Sequence, residues 1–177
     1  MKKALYFLTA LLVAFPGWAN MQNNELDYAS TKDIRDINPH LYSGEMAAQN
    51  MVFEPLVLNT EFGPQPHLAE SWSISPDGKT YIFKLRTDVT FSDGEPFNAQ
   101  AVKLNIDAVL DNYTRHGWLE LVQQIDSVRV IDDYTIELKL KNAYYPTLTE
   151  LSFTRPFRFI SPRAFIAGKT KDGVQGY

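Results

Sequence analysis

Apolar and polar positions alternate at Trp72 and Ile74, and again at Tyr81, Phe83 and Leu85, on either side of Ser75-Pro76-Asp77-Gly78-Lys79. Side chains two apart share one face of a strand, and Pro-Asp-Gly is turn chemistry, its glycine admitting positive φ. The pattern predicts an antiparallel hairpin over 69–85. Trp72, Tyr81, Phe83 and Leu85 are expected to divide between two faces, one of them buried. A second hairpin is predicted over 127–140, with Val128 and Val130 before an Asp132-Asp133 turn and Ile136, Leu138 and Leu140 after it.

Between these hairpins the period changes from two to about 3.6. Val102, Ile106, Val109, Leu110 and Tyr113 fall on one helical stripe, while Lys103, Asp107 and Asp111 lie mostly off it. Asn98 stands where a cap belongs, so a helix is predicted over 98–113. Weaker signals predict a strand carrying Leu26 and Tyr28, a turn at Asn38-Pro39 and a short helix over 45–51 carrying Met46 and Met51. They add a brief strand after Pro55, a tight turn in FSDGEPF, a short helix begun near Pro146, and an aromatic segment, RPFRFISPRAF, closing on another short helix. The class is α/β, with antiparallel hairpins and flanking helices. The closing TKDGVQGY has nothing that would seal a domain and reads as an interruption.

The beginning of the chain sets the compartment. Lys2 and Lys3 precede an apolar run from Ala4 to Phe15, then Pro16-Gly17 and a small residue at Ala19. This is the pattern of a secretory signal peptide, cleaved after Ala19. The run is shorter than the roughly 20 apolar residues of a spanning helix. No cysteine occurs anywhere, so packing alone must hold the exported chain, which suits a periplasm. The formal charge of −4 deepens by two when Lys2 and Lys3 leave with the leader. Such an acidic chain has no electrostatic footprint for nucleic acid, and no basic amphipathic helix marks a membrane surface.

Catalytic motifs are missing. His40, His67 and His116 show no metal-ligand spacing, and each is expected to be a surface or locally hydrogen-bonded imidazole. There is no G-x-S-x-G, no phosphate-cradling G-x-x-x-x-G-K and no G-x-G-x-x-G. An enzyme reading therefore has no positive support, and no cofactor is expected.

The stretch LAESWSISPDGKTYIFKLRTDVTFSDGEPFNAQAVKLN resembles the solute-binding proteins of peptide and nickel ABC importers, through S-W, D-G-K-T-Y-x-F-x-L-R, V-x-F-S-D-G-x-P-F and the helix that follows. NPHLY, AVLDN, RHGWLEL, AYYP and RPFRFISP resemble the nickel-binding branch of that family; the alternative is a dipeptide-, oligopeptide- or haem-binding member of the same family. The resemblance implies a periplasmic receptor that takes nickel inside a small polycarboxylate chelator. Such a receptor hands it to a permease in the inner membrane, served by cytoplasmic ATPase subunits, and works as a monomer. Arg115 and Arg155 are implied to clamp the chelator's carboxylates, Trp118 to pack against it and Met46 to line the cavity, with no direct metal ligand in this chain. Planar guanidinium groups suit carboxylates, and an indole offers flat apolar area. Arg158 reads as structural, and His116 is not expected to ligate metal. The family is two-lobed and much longer. Residues 1–19 are therefore expected to be the leader and 20–177 an incomplete first lobe, either a piece of a receptor or a truncated remnant, with weak or no binding expected of this chain by itself.

Overall fold

The computed structural model describes residues 37–40 and 45–165. The chain divides into two compact units, Met1–Lys32 and Asp33–Tyr177, and all the described residues fall in the second. The expected leader, the strand with Leu26 and Tyr28 and the closing TKDGVQGY lie outside the described residues.

The elements in chain order are α1 (Met46–Val52), β1 (Val57–Thr60), β2 (Gly63–Pro66), β3 (Ala69–Ile74), β4 (Thr80–Leu85), α2 (Ala99–Asp111), α3 (Tyr113–His116) and α4 (Glu120–Gln124). They continue with β5 (Ile125–Asp132), β6 (Thr135–Leu140), α5 (Thr147–Leu151) and a 3₁₀ turn (Pro162–Ala164). Strands β3-β4-β6-β5 form one four-stranded sheet and β1-β2 a separate ribbon, and every described ladder is antiparallel. The chain is an α/β protein with both predicted hairpins in place.

The facing of the first hairpin differs from expectation. Trp72 lies opposite Phe83 and Ile74 opposite Tyr81, so all the alternating apolar residues share a single face. Tyr81, Phe83 and Leu85 are buried there. The cause is register: the turn pairs apolar with apolar across the strands, so the two sets coincide instead of splitting. Thr80 to Leu85 then read alternately out and in, and β6 repeats the pattern with Ile136, Leu138 and Leu140 inside. Gly78 carries the turn at φ 70°.

Helix α2 packs on the β5–β6 side of the sheet. Asn98 caps it, its side chain accepting from Ala101 N at 2.9 Å, and Val102, Ile106 and Val109 are buried. Burying such side chains contributes roughly 1.5–3 kcal/mol each. Tyr113, placed on the stripe by the sequence, is 51% exposed because α2 stops at Asp111 and the backbone leaves helical geometry at Asn112. The buried Asn105 has a second task. Its amide donates to Ile160 O at 2.9 Å and its carbonyl accepts from Ile160 N at 3.0 Å, which pins the 153–165 segment to α2. Backbone Phe159 N donates to Glu54 O at 3.3 Å, so that segment is also tied to the chain between α1 and β1.

Candidate functional site

Four pieces of chain meet at a cavity of about 650 Å³: the start of α1, strand β1, the turn between α3 and α4, and the segment after α5. Its wall includes Met46 and Asn50 from α1, Leu58 and Asn59 from β1, Trp118, and Ser152 to Arg155 with Arg158. Helix α5 packs against β1, which brings the last of these beside Leu58 and Asn59.

Each wall residue has a local reason for its place. The segment RHGWLEL is no extension of α2. Arg115 and His116 end α3, Gly117 and Trp118 form a turn, and α4 begins at Glu120. A Cβ on Gly117 would sit 2.9 Å from Tyr113 O and 3.0 Å from its ring, so only glycine permits this closure. The buried Glu150 accepts from Leu121 N at 2.8 Å and from the Tyr144 hydroxyl at 2.5 Å, locking α5 to the first turn of α4. Burial and the adjacent Glu150 push the Tyr144 hydroxyl up to about 12, so it stays a donor. Trp118 projects from this brace with 62% of its surface exposed, an unusual exposure for so large an apolar side chain.

On the opposite wall, Arg155 is half-buried and its Nε donates to Gln49 Oε1 at 2.5 Å. Gln49 is itself buried, with Nε2 on Asn38 O at 3.1 Å. Arg158 is 6% exposed. It donates to Phe53 O at 3.0 Å, Asn50 Oδ1 at 2.5 Å, Phe153 O at 3.3 Å and Ser152 O at 3.4 Å. Burial pulls its guanidinium below the ordinary arginine value, opposed by the charge of Glu54.

Three of the four residues singled out in the sequence, Met46, Trp118 and Arg155, therefore border one cavity. Arg115 borders a separate depression of about 410 Å³ with Asp111, Asn112 and Thr114. It is exposed on α3, and the Gly117 turn separates its direction from that of Trp118. Arg158, read as structural, is structural and also lines the cavity. Asn50 and Asn59 carried no motif or periodic signal, and nothing in the sequence alone could have found them.

The expectation for the histidines needs correction at two positions. His40 and His116 are buried, not superficial. The chain folds the Pro39-His40 turn under the 153–165 segment, where His40 Nε2 donates to Arg158 O at 3.3 Å, a partner 118 positions away. Both rings are held down at about 4, His40 by desolvation and the neighbouring His116, and His116 by desolvation and the charge of Arg115. They are neutral at physiological pH. His67 is paired with Glu54 at 2.9 Å. Among the described residues, no three His, Cys, Asp or Glu side chains converge as a metal cage, and no helix is long and apolar enough to cross a membrane.

Residues 63–174 match the family described as bacterial extracellular solute-binding proteins, family 5 Middle. The chain belongs to that family. Among curated family members, it is 48% identical over 154 residues to the nickel-binding periplasmic protein of Escherichia coli K12, covering 86% of this chain and 29% of the relative. Among solved structures, it is similar to NikA from Brucella suis in complex with Fe(III)-EDTA, at 56% identity and a TM-score of 0.77, covering 80% of this chain and 29% of that one. It is also similar to NikZ from Campylobacter jejuni in complex with Ni(L-His), at 31% identity and a TM-score of 0.61, with coverages of 75% and 26%. The chain thus spans under a third of the length of these family 5 relatives.

Proposed function

We propose that this chain supplies one wall of the ligand chamber of a periplasmic family 5 receptor that takes up nickel as a chelate. On this reading, a leader ending at Ala19 exports it and an ABC permease with its ATPase receives the cargo. The observation that carries the reading is the lining of the 650 Å³ cavity: a half-buried guanidinium, Arg155, beside the apolar surfaces of Met46, Trp118, Leu58 and Phe153. A cation beside apolar area suits an anionic organic shell around a metal, whereas a bare divalent ion would be repelled by Arg155.

Roles follow from chemistry. Arg155 meets a carboxylate with charge-assisted hydrogen bonds, Trp118 covers the face of the chelator and Met46 fills irregular space beside it. Arg115 contributes from the adjacent depression, as a longer-range attraction for the anion. The names of the relatives, a nickel-binding protein and structures holding Fe(III)-EDTA and Ni(L-His), support a chelate as the ligand class. The same relatives are binding proteins, which supports a receptor over an enzyme.

The test is equilibrium dialysis of the protein against nickel–EDTA, nickel chloride and a tripeptide, followed by metal and peptide analysis. Retention of the nickel complex above the other two is expected. Equal or greater retention of free nickel or of the peptide would replace the chelate reading with a cation or peptide one.

A further inference from the structure

Asn50 lies on the cavity wall between the α1 face and Arg158, and its amide can face only one way. Arginine has five N–H donors and no acceptor. The 2.5 Å contact from the Arg158 guanidinium therefore has to be to the carbonyl oxygen of Asn50, because the amide nitrogen is also a donor. Arg158 in turn cannot rotate away. It is buried, and its other donors are engaged with the carbonyls of Phe53, Phe153 and Ser152. The –NH₂ of Asn50, which is itself exposed, is consequently turned away from Arg158 on a residue that borders the cavity.

We infer that Asn50 is a specificity-determining residue of the cavity: fixed by Arg158, it presents N–H donors to an oxygen of the cargo and, with Arg155, makes this wall one that offers donors. Such a wall selects ligands that present carboxylate or carbonyl oxygens and rejects ligands that present an ammonium or imidazolium group. The inference rests on the chelate reading above and deepens it by naming what sets the charge preference. Arg158 acts here through Asn50 and is a positioning residue.

Asn50→Asp isolates the point. The new carboxylate has the shape of the amide and still accepts from Arg158, now as an ion pair, so the fold should be kept. Toward the cavity it offers an acceptor and a negative charge where donors stood. Calorimetric titration would compare nickel–EDTA, a dianion, with nickel–bis(histidine), which is neutral, on the unmodified protein and on N50D. The expected result is an unchanged melting temperature, an affinity for nickel–EDTA reduced about tenfold or more, and a severalfold smaller reduction for nickel–bis(histidine), which loses the donor to its carboxylate oxygens but meets no charge repulsion, so that the ratio of the two affinities falls. A merely structural role for Asn50 would weaken both ligands alike. An unchanged ratio of the two affinities in N50D, with binding by the unmodified protein intact, overturns this inference alone. Failure of the unmodified protein to bind either complex overturns the functional reading and this inference with it.

Discussion

Replacing Arg158 by methionine removes a guanidinium that holds two chain segments, 50–53 and 152–153, at once. Its short contacts run to Phe53 O at 3.0 Å and Asn50 Oδ1 at 2.5 Å, its longer ones to Phe153 O at 3.3 Å and Ser152 O at 3.4 Å. Hydrogen bonds from a charged group contribute about 1.5–3 kcal/mol each, so the two short ones alone supply about 3–6 kcal/mol. Against this stands the cost of burying the cation, which is real here because burial pulls its pKa down. Methionine recovers that desolvation and most of the packing, but leaves acceptors without a donor. The net loss should be about 3 kcal/mol, or a urea midpoint lowered by roughly 1–2 M at an unchanged slope. Arg158→Lys should recover less than half of it, since one ammonium cannot reach acceptors spread around a planar fork. The assay is equilibrium urea unfolding followed by tryptophan fluorescence. A loss below about 1 kcal/mol in Arg158→Met would refute the claim that this side chain organises the cavity wall.

Three further outcomes are expected. His40 and His116 titrate at about 4 when folded and near 6.5 when unfolded, so the unfolded chain binds more protons between those values. Stability is then fully present above about pH 6.5 and falls toward pH 4, by on the order of 2 kcal/mol per ring at pH 5; a flat urea midpoint from pH 7 to pH 5 would show the rings are not buried neutral. Gly117→Ala forces its Cβ against Tyr113 O, and should cost about 1–3 kcal/mol while shifting Trp118 emission; an unaltered spectrum and midpoint would contradict the tight turn. Asn98→Ala removes the α2 cap and should cost about 1 kcal/mol in the same unfolding assay, with Asn98→Asp close to neutral.

Much of the fold was written in the alternation of side chains, because each hairpin carries its own turn chemistry and its own apolar face. Tyr81, Phe83 and Leu85 sit two apart, and the Pro-Asp-Gly turn closes them on Trp72 and Ile74 without help from the rest of the chain. Of the β1–β2 ribbon, β1 was read as the brief strand after Pro55, but β2 was not legible, for the opposite reason. Gly63-Pro64-Gln65-Pro66 has no apolar alternation, and prolines argue against a strand unless their missing N–H groups face away from the partner, as an edge strand allows. Facing was harder than pairing, since it depends on register across the turn, which the two apolar runs do not state separately. The site was less legible still. Met46, Trp118 and Arg155 are far apart in sequence, and the resemblance, not the spacing, drew attention to them. Arg115 stands three residues from Trp118, yet a glycine turn places it on a different depression. The burial of His40 arises from a contact 118 positions away, which no local pattern encodes.

The central claim is that the cavity bordered by Met46, Trp118 and Arg155 receives an anionic metal chelate. Calorimetric titration of nickel–EDTA into the unmodified protein, Arg155→Ala and Arg115→Ala measures it most directly. Loss of one charged contact at the cavity should lower affinity about tenfold to a hundredfold in Arg155→Ala, while Arg115→Ala, whose charge lies in the adjacent depression, should lose several-fold less and mainly at low salt. Undiminished binding by Arg155→Ala would contradict the account.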